Sequence, residues 1–289
     1  VAQTVEAMVS EPEPLTPEMM LTDTAIPITS TKEMRPTSVL VLTPTPGVSP
    51  PEKPAATPLV SLPSRPPVEI PYADIQFISP GALSRVISPI DLHAFLVPGD
   101  SGRARVELFG EDGRMMYRKL FVFGSLPGVQ THMRSEIDFE IKGVAETARL
   151  VISVDDAYGR LKTVASEELI LISIGDSDLN PPGDFLETIV IQEPEPKILV
   201  QGGVITVTGL VRTGSEQPLL VELVTTDGKV IGNRLAGVAP EPANAHRLFA
   251  TEIPNSVQSP TWIRVTVSEW SNKLNRPVQL SSVEVLLSP

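Results

Sequence analysis

The sequence predicts an all-β chain: two antiparallel β-sandwich modules behind an extended N-terminal arm. Three observations carry this. A strand-and-turn signature occurs twice with the same internal spacing, as Val106-Glu107-Leu108 followed by Asp112-Gly113-Arg114, and as Val221-Glu222-Leu223 followed by Asp227-Gly228-Lys229. Asp-Gly supplies the positive φ that a tight hairpin needs. Beyond residue 72, apolar residues alternate with polar ones in short runs between turn residues, and no run has helical period. Proline and aromatic residues are also segregated: 15 of the 30 prolines lie at or before Pro71, and no Phe, Trp or Tyr precedes Tyr72.

The arm is residues 1–71. Its start places Val1, Val5, Met8 and Val9 on one helical face. Glu11-Pro12-Glu13-Pro14 ends that segment, because proline excludes the preceding residue from helix. A Pro/Thr/Ser-rich run follows, which favours extended polyproline II geometry and a semi-stiff spacer. Without aromatics it buries too little apolar surface to offset its ordering entropy. It carries apolar islands, however: Met19-Met20-Leu21, Val39-Leu40-Val41-Leu42 and Leu59-Val60. Two readings stand. The arm is a surface stalk, or it orders on partner chains through Met19, Met20, Leu21, Val39, Leu40, Val41 and Leu42, the last four suiting strand addition. The chain begins with Val rather than Met, so a signal or anchor is expected upstream of it.

The first module is residues 72–174, with strands expected at 74–79, 90–97, 104–109, 115–123, 136–141, 148–154 and 169–174. Short strands at this spacing with turns between them predict a sandwich. Residues 175–188 form a linker, and residues 189–289 the second module. Shifting the numbering by 115 carries Leu92 onto Val207, Ala94 onto Gly209, Leu96 onto Val211 and Val106 onto Val221. A shift of 113 carries Val154 onto Val267 and Leu161 onto Leu274. Apolar positions landing on apolar positions across so many strands indicate an internal duplication.

On these residues the modules resemble the bacterial immunoglobulin-like domain of spore-germination-type and other exported envelope proteins. In the second copy the resemblance rests on Ile191, the Val204-Ile205-Thr206-Val207-Thr208-Gly209 strand, Val221-Glu222-Leu223 with Asp227-Gly228, Phe249 before Ile253, and Val265-Thr266-Val267. The first copy departs from the pattern where Ala94 stands for Gly209. The resemblance implies two tandem immunoglobulin-like sandwiches that serve as a cell-envelope interaction or spacer module, with no catalytic residues to carry over.

The composition narrows the chemistry. A net charge of −12 with no basic stripe disfavours nucleic acid. No apolar run is long enough to span a bilayer, so membrane association is expected only through an upstream anchor. The absence of cysteine removes disulfides, thiolate catalysis and cysteine-ligated zinc. His93, His132 and His246 have no partners at ligand spacing, and there is no Gly-x-Ser-x-Gly elbow and no glycine loop opening a helix. Asp155-Asp156 before Ala157-Tyr158-Gly159 reads as a solvated hairpin tip, and Trp262 and Trp270 lie at either end of one strand. Asp176, Asp178, Asn180 and Asp184 in the linker are the oxygen ligands that calcium prefers, but Pro181 stands where an EF-hand loop needs glycine. A loose calcium site and a plain soluble linker both remain as readings.

The functional expectation is therefore a non-enzymatic structural or interaction subunit, extracytoplasmic, without a catalytic or cofactor site. Its partners are other protein subunits of a surface or envelope assembly. The alternative is an adhesin or glycan-binding module.

Overall fold

The computed structural model describes residues 69–124, 128–240 and 245–289. The partner-binding residues expected at 19–21 and 39–42 lie outside these. All regular elements among the described residues are strands. The first eight are β1 (Ile75–Ser79), β2 (Arg85–Val86), β3 (Ile90–Leu96), β4 (Arg103–Gly110), β5 (Met115–Val122), β6 (Thr131–Ile137), β7 (Ala145–Asp155) and β8 (Leu161–Ile172). The second eight are β9 (Ile189–Glu193), β10 (Leu199–Gln201), β11 (Val204–Val211), β12 (Leu219–Thr225), β13 (Val230–Ala236), β14 (Arg247–Pro254), β15 (Thr261–Ser271) and β16 (Arg276–Ser288). They build two three-stranded antiparallel sheets, β1-β3-β6 and β14-β11-β9, and one long sheet running β13-β12-β15-β16-β8-β7-β4-β5.

Alternation along the strands produces two apolar cores. One gathers Leu92, Leu96, Leu108, Ile137, Leu150 and Ile152, and the other Val207, Leu223, Phe249, Ile253, Val265 and Leu287. In β3, Ile90, Leu92, Ala94 and Leu96 are buried while Asp91 is exposed and His93 and Phe95 are half-buried, which is the period-2 pattern of a strand buried on one face.

The register of the two sets of strands runs in step. Val106 sits opposite Lys119 in β5 and Ile152 in β7, and Val221 opposite Arg234 in β13 and Val267 in β15, so all three positions differ by 115. The expected offset of 113 near the end is corrected by this pairing. Ile152, not Val154, matches Val267, and the 115 offset holds through β7 and β15 to matching bulges after Val154 and Glu269. Leu161 pairs Asp155 as Pro277 pairs Trp270, an offset of 116, so the hairpin of the second set is one residue longer and Leu274 falls in its loop. A slip of two residues keeps every side chain on its own face, so apolar alternation could not expose the error.

Two other expectations are revised. The strand expected at 136–141 is Thr131–Ile137, with Met133, Ser135 and Ile137 inward. The strand expected at 169–174 begins at Leu161. Its first half was hidden by polar residues that are in fact buried, Thr163 and Ser166.

Candidate functional site

The two cores meet along a polar seam. At the β7–β8 turn, Gly159 takes positive φ and Asp156 N–H donates to the Arg160 carbonyl. The hairpin is as the sequence predicts, but Asp156 is not solvated: it is 2% exposed. Its Oδ1 accepts Tyr158 N–H and Arg160 N–H, both at 2.9 Å. Its Oδ2 accepts Arg160 Nε at 2.7 Å and Arg264 Nε at 2.9 Å. Burial pushes the Asp156 carboxyl up, but the hydrogen bonds from Arg160 and Arg264 together outweigh it and hold the carboxyl below its ordinary value.

Arg160 extends the cluster into the second set of strands, donating to the Val224 carbonyl at 3.1 Å and Glu284 Oε1 at 2.9 Å. Arg264 also donates to Ser282 Oγ, which in turn donates to the Lys162 carbonyl at 2.6 Å. Leu280 pairs Val164 across the seam, and Phe109, Val151, Val164 and Leu280 form a small apolar cluster there. The Gly113 turn abuts the β15–β16 loop: a Cβ at Gly113 would lie 2.9 Å from the Lys273 carbonyl oxygen.

Beside this seam lies a cavity of about 140 Å³ on the outer face of β4 and β7, lined by Arg105, Glu107, Ser153, Asp155 and, from β16, Arg276. Glu107 is 2% exposed. Its Oε2 accepts from Arg276 Nη1, and the Arg276 guanidinium lies over the Phe109 ring at 4.7 Å. Glu107 Oε1 and Ser153 Oγ are buried without a hydrogen-bond partner, and Arg118 Nε approaches Oε1 only to 3.4 Å. Arg105 Nη2 pairs with Asp155 Oδ2 at 3.1 Å; burial raises the Asp155 carboxyl against the pull of Arg105. The pocket thus offers both donors and acceptors and suits a small hydroxyl-bearing molecule. Sequence reading missed it, because Val-Glu-Leu looks like a strand with its Glu in solvent.

A smaller cavity of about 90 Å³ lies where the chain crosses from β8 to β9, lined in part by Glu167, Asp184, Glu187, Arg212 and Gln279. Burial, reinforced by Asp74, pushes the Glu187 carboxyl up to about 7 despite backbone N–H groups that pull it down. Glu187 Oε2 accepts Asp74 N–H at 3.4 Å, and the Glu187 carbonyl meets His246 Nε2 at 2.8 Å.

The linker is strapped to the first set of strands rather than free. Arg85 and Asp178 exchange two backbone hydrogen bonds of 2.9 Å, and Asn180 N–H donates to Ser84 Oγ. Gly81 allows this approach, since a Cβ there would stand 2.2 Å from the Pro181 carbonyl oxygen. Of the calcium-type residues, Asn180 gives its side-chain N–H to the Ala82 carbonyl, and Asp184 is held by Nη1 and Nη2 of Arg212. No group of three or more His, Cys, Asp or Glu able to hold a metal occurs among the described residues. His93 and His132 are brought side by side with ring centroids 5.6 Å apart, and His93 Nε2 lies 3.2 Å from Asp91. Trp262 is 42% exposed and Trp270 half-buried. They stand at opposite ends of β15, about 26 Å apart at the rise of a strand, so they do not form one stacking platform.

No family model and no curated protein matches the chain. Among solved structures, similarity is found to a Salmonella alpha-2-macroglobulin (13% identity over 77% of this chain and 19% of that one, TM-score 0.26). A red sea bream transglutaminase matches at 8% identity over 75% of this chain and 32% of that one, with a TM-score of 0.27. An exo-chitosanase of Amycolatopsis orientalis matches at 17% identity over 67% of this chain and 25% of that one, with a TM-score of 0.23. The chain spans a third or less of each of these proteins. The macroglobulin and transglutaminase matches are β-rich, as this chain is.

Proposed function

We propose that the chain is a non-enzymatic interaction subunit of an extracytoplasmic assembly at the cell surface or membrane. In this reading residues 72–174 and 189–289 are tandem immunoglobulin-like sandwiches, joined through residues 175–188, and the arm of residues 1–71 binds or tethers partner chains. The observation that supports it best is the seam. A buried Asp156–Arg160–Arg264 cluster, a shared sheet and a strapped linker lock two small cores into one block. A locked block presents surfaces at fixed spacing, which is what a scaffold or spacer subunit needs. Fractionation of the source cells under mild lysis tests this: the protein is expected in the envelope or extracellular fraction, in a complex heavier than its own 31.1 kDa. A free monomer in the cytoplasmic fraction would contradict it.

A second reading, an adhesin or glycan-binding module, draws on the pocket with the unpartnered Ser153 Oγ and Glu107 Oε1. Glycan-array binding that is lost in Ser153→Val would favour it.

A further inference from the structure

The long sheet ends in two strands that occupy the same register, β5 and β13. Each pairs on one side only among the described residues. Their exposure patterns agree over their first six positions. Each presents a cation followed by an exposed leucine at the matched position: Lys119-Leu120, with Leu120 53% exposed, and Arg234-Leu235, with Leu235 64% exposed. β5 is the more open edge. A Cβ at Gly232 in β13 would lie 3.0 Å from the Pro254 carbonyl oxygen at the end of β14, so that strand is approached by its neighbour.

The ladder determines which groups of β5 are free. Phe123 N–H donates to the Gly102 carbonyl, and antiparallel pairing then alternates hydrogen-bonded with non-hydrogen-bonded pairs. Phe121, Lys119 and Tyr117 therefore spend their backbone groups on β4, while Val122, Leu120 and Arg118 point theirs outward. The side chains of these three are exposed as well, and Val122 is 70% exposed. β5 holds two cations and no acid; Arg118 lies against Glu107, while Lys119 has no carboxylate partner among the described residues.

We propose that the β5 edge receives an extended acidic segment of a partner protein by strand addition. The partner's backbone would pair with Arg118, Leu120 and Val122, its apolar side chains would lie on the face that carries Leu120 and Val122, and its carboxylates would lie on the opposite face, beside Lys119. A second copy of this chain is a poor occupant. Edge-to-edge pairing would set Arg118 and Lys119 against themselves or against Arg234, and like charges across a strand pair are destabilising. The overall negative charge does not repel an acidic segment at this edge, because at physiological salt charges beyond about 8 Å are screened. This proposal deepens the interaction-subunit reading and rests on it, but its test is a binding measurement that does not depend on where the protein resides.

The test uses the full chain with two ten-residue peptides that alternate Val with Glu or Val with Lys, followed by titration calorimetry and amide hydrogen exchange. The Glu peptide is expected to bind, to weaken at least ten-fold between 50 and 300 mM salt, and to protect the amides of Arg118, Leu120 and Val122. Lys119→Glu is expected to weaken binding at least ten-fold without moving the melting temperature. Leu120→Pro, which removes one outward N–H, is expected to abolish it. Should Leu120→Pro fold poorly, Lys119→Glu and the exchange map still decide. Absence of binding at millimolar peptide, equal binding of the Lys peptide, protection away from β5, or self-association through β5 in sedimentation would each overturn the proposal.

Discussion

Arg264 of β15 donates from Nε to Asp156 Oδ2 at the β7–β8 turn, 2.9 Å away, with both side chains almost wholly buried. Asp156 is the one carboxylate shared by Arg160 and Arg264, so it ties together residues 108 positions apart in the chain. Asp156→Ala would leave two buried guanidinium groups facing each other, with Glu284 the one carboxylate paired to either among the described residues. Breaking a buried pair in this way costs about 3–5 kcal/mol. Urea melts are expected to show a loss of that size, whereas Asp112→Ala at an exposed hairpin tip should leave the midpoint almost unmoved.

Leu108 and Leu223 are both fully buried and hold matched positions in β4 and β12. Leu108→Ala and Leu223→Ala are each expected to cost about 2–5 kcal/mol in denaturant melts. A loss well under 1 kcal/mol at either site would mean that its face of the strand is not the core face.

The pair Ala94–Met133 in the first set of strands corresponds to Gly209–Phe249 in the second. A Cβ at Gly209 would lie 2.2 Å from the Val190 carbonyl oxygen and 2.6 Å from the Phe249 ring. Gly209→Ala should therefore destabilise by about 1–3 kcal/mol through overpacking. Adding Phe249→Met should recover only part of the loss, because the backbone contact with Val190 remains. Full recovery in the double variant would show that the ring alone demands the glycine.

Glu187 yields a pH prediction of opposite sign to that of Asp156. Its folded carboxyl is raised to about 7 from an ordinary value of 4.5, so the folded state holds a proton that the unfolded chain has released. Its contribution is present below the ordinary value and is lost as pH rises through about 7. Asp74, Glu167, Asp184 with Arg212, and His246 surround it. The melting temperature of the natural chain should fall between pH 5 and pH 8 relative to that of Glu187→Gln, in which the side chain is neutral throughout. Asp156, held below its ordinary value, instead contributes stability that is lost only in acid, below the usual aspartate range.

Strand type and core face were legible because alternation and Asp-Gly turns are local signals. Val221, Leu223 and Leu92 lie in the cores where alternation puts them. What could not be read was the seam. Asp156, Glu107, Thr163 and Ser166 are polar residues buried by partners more than a hundred positions away or by neighbouring strands, and no local pattern distinguishes them from solvated ones. The β8 start and the linker strap were illegible for the same reason, since their partners, Gln279 and Ser282 for β8 and Ser84 for the linker, are non-local.

With the seam formed, the two cores are expected to move as one block. The chain has no cysteine, so spin labels can be placed uniquely through Lys142→Cys and Lys229→Cys, two exposed positions on loops of the first and second sets of strands. Pulsed electron–electron resonance should give a single narrow distance distribution, and it should broaden when Asp156→Ala is added. A broad distribution in the otherwise natural chain, unchanged by Asp156→Ala, would mean that the seam does not hold and that the two cores move independently.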